Sequence, residues 1–291
     1  MKKNQVQATV PFSVACQKLY ADAVGSNFKV VVAGPYIEVQ VYERNILHTG
    51  KPRRSVGRQD KCASDDPIER NSNMKAYRAR RKARKLGRII NENFTDGDTF
   101  ITLTFQTVKE IDESLKAFRR FLQELQRKVP GVKYIAVVEP HQRSGYHLHA
   151  IINRQLPKDP EEAAPFIKEG VIKSKKGCLS ALWPHGFIHV KILDTEYGNL
   201  GHNLANYITK ATDDPRMHEK HKVYRSDNLK AYTTMCDCDG ISFLQREVVD
   251  KGLTEIYSYT QDKVDYVGSY HYFAFNRLEA HTSQSSSRLV S

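Results

Sequence analysis

Residues 133–153, "KYIAVVEPHQRSGYHLHAIIN", constrain the fold more than any other stretch. Two apolar runs of strand length flank a polar tip containing Gly145, so they pair as an antiparallel hairpin. Side chains two apart in a strand share a face, so His147 and His149 point the same way. Across the tip, Glu139 falls opposite the first histidine, and one carboxylate converges with two imidazoles. An apolar strand that spends two positions on histidine gives up core-forming side chains, and metal coordination explains that choice. Two neutral ring nitrogens and a carboxylate oxygen suit Mg²⁺, Mn²⁺ or Zn²⁺ and leave coordination positions open, as a catalytic ion requires. The alternative is a plain hairpin whose histidines are structural. His141, in the tip, reads as an exposed turn residue.

The neighbouring segments supply elements that flank such a hairpin. "DTFITLTF" is a strand after an Asp96-Gly97 turn, and "IDESLKAFRRFLQELQRKV" is an amphipathic helix with Leu115, Phe118, Leu122 and Leu125 on one face. Residues 154–179 show little periodicity and read as loop; "ALWPHGFIHVKIL" ends in a further strand, and "NLGHNLANYITKA" is a helix. Upstream, "FKVVVAGPYIEVQVYER" is a hairpin turning at Gly34-Pro35, followed by a surface linker over 51–67. Between 75 and 88 stand eight basic residues, Lys75, Arg78, Arg80, Arg81, Lys82, Arg84, Lys85 and Arg88, with no acid from 71 to 91. The apolar stripe there (Tyr77, Leu86, Ile89, Ile90) is narrow, so this is a basic helix with most of its girth wet, suited to phosphate contact.

Tyr207 and Lys210 lie three apart in "ANYITKA" and so share a helix face. A phenol titrates near pH 10, and reaching the phenolate at neutral pH costs about 4 kcal/mol unless a cation sits beside it. The same spacing also describes a packed aromatic with a snorkelling lysine. What joins the two clusters is charge: the net +12 and pI near 9.4 select a polyanionic partner. A metal hairpin, a tyrosine helix and a basic chain together specify metal-assisted attack of tyrosine on a DNA phosphodiester.

In this order, "FITLTF", "YHLHAII" and "NYITKA" resemble the three motifs of the HUH endonucleases, and specifically the rolling-circle replication initiators of single-stranded-DNA phages and plasmids. "WPHGFIHV" and "KVYRSDNLK" look like further blocks of that group, and the basic helix stands before the first motif as it does there. The resemblance spans residues 74–230. It implies an α+β fold with a central antiparallel sheet flanked by helices, RRM/ferredoxin-like, here with an N-terminal β-containing extension. The resemblance leaves both ends unassigned, and with the segments read above the expected domains are 1–70 (extension with hairpin and linker), 71–260 (endonuclease with its leading basic helix) and 261–291 (C-terminal segment and disordered tail). It implies His147, His149 and Glu139 as ligands of Mg²⁺ or Mn²⁺, Tyr207 as nucleophile and Lys210 as assisting cation. Single-stranded or supercoiled origin DNA is the implied partner. Asn203, four before Tyr207, departs from initiators that alternate two tyrosines.

Rival readings are separable. A relaxase places its tyrosine before the histidines; a small HUH transposase shares the motif order. A cupin puts its glutamate after the His-x-His pair, where "AIINRQLP" has none. A basic DNA-binding regulator would bind without cutting. No Gly-x4-Gly-Lys-Ser/Thr loop occurs, so a host helicase, with a host polymerase, is expected to accompany the chain. No apolar run reaches the roughly 18 residues of a membrane span, and the basic start precedes only an interrupted apolar stretch, so a cytoplasmic location in a bacterial host is expected. The five cysteines are odd in number and scattered, which predicts free thiols; Cys236 and Cys238, after His218 and His221, are too closely spaced for the usual zinc pattern.

Overall fold

The structure, a computed structural model, describes residues 11–47, 67–141, 145–194, 223–264 and 267–278, with Gly201, Ala205 and Arg216. Two compact units divide the chain, 64–231 and the two ends together, 1–63 with 232–291. Each is built on its own five-stranded antiparallel sheet. The fold is α+β, as the motifs imply.

In the unit 64–231, the sheet consists of β3 (Thr99–Phe105), β4 (Tyr134–Pro140), β5 (Tyr146–Ile152), β6 (Gly186–Ile192) and β7 (Val223–Arg225), in the order β6-β3-β5-β4-β7. With α3 (Ile111–Lys128) after β3, and α4 (Ala163–Lys168) and α5 (Leu179–Leu182) before β6, the chain runs β-α-β-β-α-β and its last strand returns beside its first. That is the ferredoxin-like arrangement. The stretch 154–179, read as loop, holds α4 and two single 3-10 turns, Pro160–Glu162 and Lys175–Gly177, and ends where α5 begins.

Alternation assigns each face of this sheet. Ile101, Leu103, Tyr134, Ala136, Val138, Leu148 and Ala150 point to one side, where α3 buries Leu115, Phe118, Phe121, Leu122 and Leu125 against them. Asp112 and Glu113 in its first turn and Arg127 and Lys128 in its last complement the helix dipole. On the other side, Ile135, Val137 and Ile151 pack with Ile90 and Phe94 from α2 (Pro67–Asn93) and its C-terminal exit. The opening proline of α2 sits where the helix needs no N–H bond.

The two chain ends share the other unit, which differs from the division read in the sequence. Its sheet is formed by β1 (Gly25–Ala33), β2 (Tyr36–Leu47), β8 (Thr233–Met235), β9 (Glu255–Val264) and β10 (Gly268–Asn276), in the order β8-β1-β2-β10-β9. The N-terminal hairpin, turning at Gly34 with φ 57°, is thus only its middle. β10 pairs with β2 along seven residues, from Tyr42 to Tyr36, and β8 covers β1. A hairpin alone has two bare edges and one unfilled face, and the C-terminal strands supply what it lacks. Residues 232–260 therefore group with the N-terminus rather than with 71–231, and 268–276, within the C-terminal segment, are strand. Phe28, Val30, Ile37, Val39, Val41, Phe273 and Phe275 form its core with Ala15 from α1 (Phe12–Cys16). Leu244, at the end of α6 (Cys238–Leu244), and Val248, one turn on, complete it. Cys16, Cys178 and Cys238 are free thiols, and burial pushes that of Cys16 up to about 12. Cys62, His218, His221 and the residues after 278 lie outside the described residues.

Candidate metal and nucleic-acid site

The hairpin forms in the expected register: Glu139 is directly opposite His147, and Val137 opposite His149. β5 is the central strand, so its outward positions are bordered on both sides. α2 covers the far end of this sheet face at Ile135 and Ile151 and leaves the end bearing Glu139 and His147 more open. Burial grades accordingly along β5. His149 is 8% exposed, whereas His147 is half-buried.

The closest polar contact is diagonal. Glu139 Oε2 lies 2.8 Å from His149 Nε2, and the other ring nitrogen, Nδ1, is 3.0 Å from Thr102 Oγ1 on β3. Burial lowers the pKa of His149 from its ordinary value and so favours the neutral ring, whose contact with the carboxylate is a hydrogen bond rather than an ion pair. A carboxylate can only accept, which puts the proton on Nε2 and makes Nδ1 the acceptor of the Thr102 hydroxyl. That hydroxyl can turn and accept instead, so His149 can carry its proton on Nδ1 and free Nε2, keeping its bond to Thr102 while giving up the one to Glu139. Phe100, also on β3, stacks on the same ring at 5.8 Å and fixes its plane.

His147 lies beside this pair, its ring 6.0 Å from that of His149 and 4.9 Å from that of His141. Burial and the neighbouring His141 both lower its pKa. His141 is exposed but belongs to the cluster, and Arg216 donates to its carbonyl at 3.1 Å. Among the described residues, no three His, Cys, Asp or Glu side chains are drawn close enough to hold a metal ion as they stand. What is assembled is one carboxylate–imidazole pair with two further imidazoles alongside, a donor set that fits a divalent cation.

Tyr207 and Lys210 lie outside the described residues, but Gly201 and Ala205, both helical, do not. Gly201 N–H donates to Asn91 Oδ1 of α2 at 2.8 Å. A Cβ on Gly201 would fall 2.1 Å from the Gly87 carbonyl oxygen, so only glycine permits this approach. On α2, Arg78, Arg80, Arg81, Lys82, Arg84 and Lys85 are exposed. Arg88 differs from them at 7% exposed, because its turn of the helix is packed against the protein. Lys75 lies on α2, in the part whose side chains are not described.

Sequence reasoning missed Thr102 and Phe100, and read His141 as the exposed turn residue it is without its ring contact to His147, since these contacts arise from strand pairing and ring packing rather than from spacing. The alternation of "FITLTF" was the available signal, for it puts Phe100, Thr102 and Thr104 on one face.

Residues 98–212 match the family model of the replication-associated protein ORF2 type, a family of rolling-circle replication initiators. The matched segment begins just before β3 and contains Glu139, His147, His149, Tyr207 and Lys210. No curated protein and no solved structure gave a significant match.

Proposed function

We propose that this chain, which carries a rolling-circle replication initiator segment at 98–212, nicks one strand of origin DNA with Tyr207 and later rejoins it. The observation that carries the reading is the Glu139–His149 pair at 2.8 Å, with His147 on the same face of the central strand. Glu139, His147 and His149 would hold Mg²⁺ or Mn²⁺, which supplies charge neutralisation and orientation of the scissile phosphate. His147 joins the pair by a side-chain turn, and Thr102 keeps the His149 ring aimed whichever nitrogen carries its proton. The Tyr207 hydroxyl, deprotonated beside Lys210, attacks phosphorus; the bond to the 3′ oxygen breaks, and that oxygen leaves as a hydroxyl. The product is a 5′-phosphotyrosyl ester. Attack by a 3′-hydroxyl reverses it and reseals the strand.

Ala205, two positions before Tyr207, is buried next to Gly87 of α2, and α2 covers the same sheet face that bears the histidines. This common side supports an approach of the tyrosine to the metal pair. The exposed basic residues of α2 would hold the DNA backbone. Unwinding and synthesis fall to a host helicase and polymerase.

The test is a denaturing gel of the protein with labelled single-stranded DNA from its own replicon, with Mn²⁺ or EDTA, beside Tyr207→Phe. A protein-linked 5′ fragment is expected with Mn²⁺ alone. Tyr207→Phe should form none while binding DNA as before, because it lacks one hydroxyl. DNA bound but left uncut in every metal would make the histidines structural and the chain a DNA-binding regulator.

A further inference from the structure

The segment 183–188 of the site unit is largely explained by packing. Trp183 is 2% exposed, stacks on Phe118 at 5.3 Å and donates its Nε1–H to the Thr104 carbonyl at 3.1 Å. His185 packs edge-on against Trp183 at 5.0 Å. A Cβ on Gly186 would sit 2.3 Å from the Thr104 carbonyl oxygen, so the strands meet only because glycine stands there. Ile188 packs on the α3 side of the sheet. Phe187 has no such reason, since it is 69% exposed.

A single exposed apolar side chain is ordinary. Its row makes this one informative. Phe187 is directly opposite Thr104, Thr104 opposite His147, and His147 opposite Glu139, so all four side chains stand on one face of the sheet. In the next row, His189 is opposite Thr102 and Thr102 opposite His149; in the row after, Lys191 is opposite Phe100. β6 is the edge strand, and Phe187, His189 and Lys191 are all exposed along it. An aromatic ring, an imidazole and an ammonium thus line the open border of the histidine cluster, about 10 Å from β5 at two strand spacings.

We propose that this border of β6 seats the single-stranded DNA next to the cleavage point, with a base stacked on Phe187 and the backbone running along His189 and Lys191. The proposal rests on the nuclease reading for the role of the seat, while the seat itself is a matter of binding. Single-stranded rather than duplex DNA fits, because base faces in a duplex are already stacked on their neighbours and offer no face to an edge-strand ring. Interleaved aromatic and basic side chains are the chemistry that binds single strands without reading their sequence.

The test uses the full chain and a fluorescein-labelled oligo-dT of about 20 nucleotides, long enough for one such site, free or annealed to oligo-dA. Anisotropy should show Phe187→Ala and Phe187→Leu weakening single-strand binding by about 5- to 100-fold, the equivalent of one lost base–aromatic stack. Phe187→Tyr should restore it, and duplex binding should not change in any variant. Leu and Tyr keep the bulk of an already exposed side chain, so a folding defect would not reproduce this pattern. Equal single-strand affinity in Phe187→Ala and wild type, or full affinity in Phe187→Leu, would overturn the stacking seat while leaving wild-type nicking untouched. Wild-type protein that ignores single strands would overturn the seat and the nuclease reading together. Binding that depends on Phe187, in a protein that cuts nothing, would keep the seat and discard the nuclease.

Discussion

His149 shows how much chemistry one side chain can carry in this fold. Both its nitrogens are engaged, and its burial favours the neutral ring, which is the form that can donate to a metal. The sign of the resulting pH dependence follows. A histidine whose folded pKa lies below its unfolded value near 6.5 binds more protons when unfolded, so its stability contribution is intact above that pH and is lost as pH falls through it. Burial moves His147 and His271 in the same direction. Thermal melts in EDTA should therefore show the protein less stable at pH 5.5 than at pH 7.5, with His149→Gln narrowing the gap. A gap that His149→Gln leaves unchanged would mean that folding does not shift the pKa of this imidazole. The two histidines were legible from their alternation, but their partners were not. Thr102 is forty-seven residues away in sequence and meets His149 only across a strand pair.

At the level of elements, the contact between α2 and the segment holding Gly201 and Ala205 depends on small residues. Gly87 and Gly201 each face the other's carbonyl, and a Cβ on Gly87 would lie 2.8 Å from that of Gly201. Backbone oxygens cannot swing aside as a side-chain end can. Gly201→Val is accordingly expected to destabilise the protein by about 1–3 kcal/mol through overpacking, read as a lower urea midpoint. Because Tyr207 follows closely, nicking should fall more steeply than stability. Undiminished nicking in that variant would separate the tyrosine from the α2 contact. The basic face of α2 was legible as a charge run, and all but Arg88 among its described basic residues remain exposed. That Arg88 turns inward follows from packing, which a run of like charges does not reveal.

At the scale of the whole molecule, segments near the two chain ends meet in one sheet, and the residues that match the initiator family model lie between them in sequence. A chain ending at Ala231 would keep every strand from β3 to β7 and lose β8, β9 and β10. The β1–β2 hairpin would then have bare edges, and a two-stranded hairpin is marginal in water. Hydrogen exchange should find β3, β4 and β5 still protected in that truncated chain, with protection of β1 and β2 gone. Retained protection in β1 and β2 would show the hairpin to be stable without its C-terminal partners. No described helix is long and apolar enough to cross a membrane.

Local periodicity settled which residues share a face: the amphipathic α3, the alternation of β4 and β5, the histidine pair, and the opposition of Glu139 to His147 across a short connection. The order of the motifs carried the resemblance that the family match over 98–212 bears out. Only the tertiary structure decided that Glu139 reaches diagonally to His149, that Phe187 borders the same cluster, and that "YSYT" and "HYFAF" near the C-terminus close a sheet begun near the N-terminus. The reason is physical. A strand's alternation encodes its two faces but not its neighbours, and pairing across long sequence separations is selected by the packing of the completed sheet, which no local window contains.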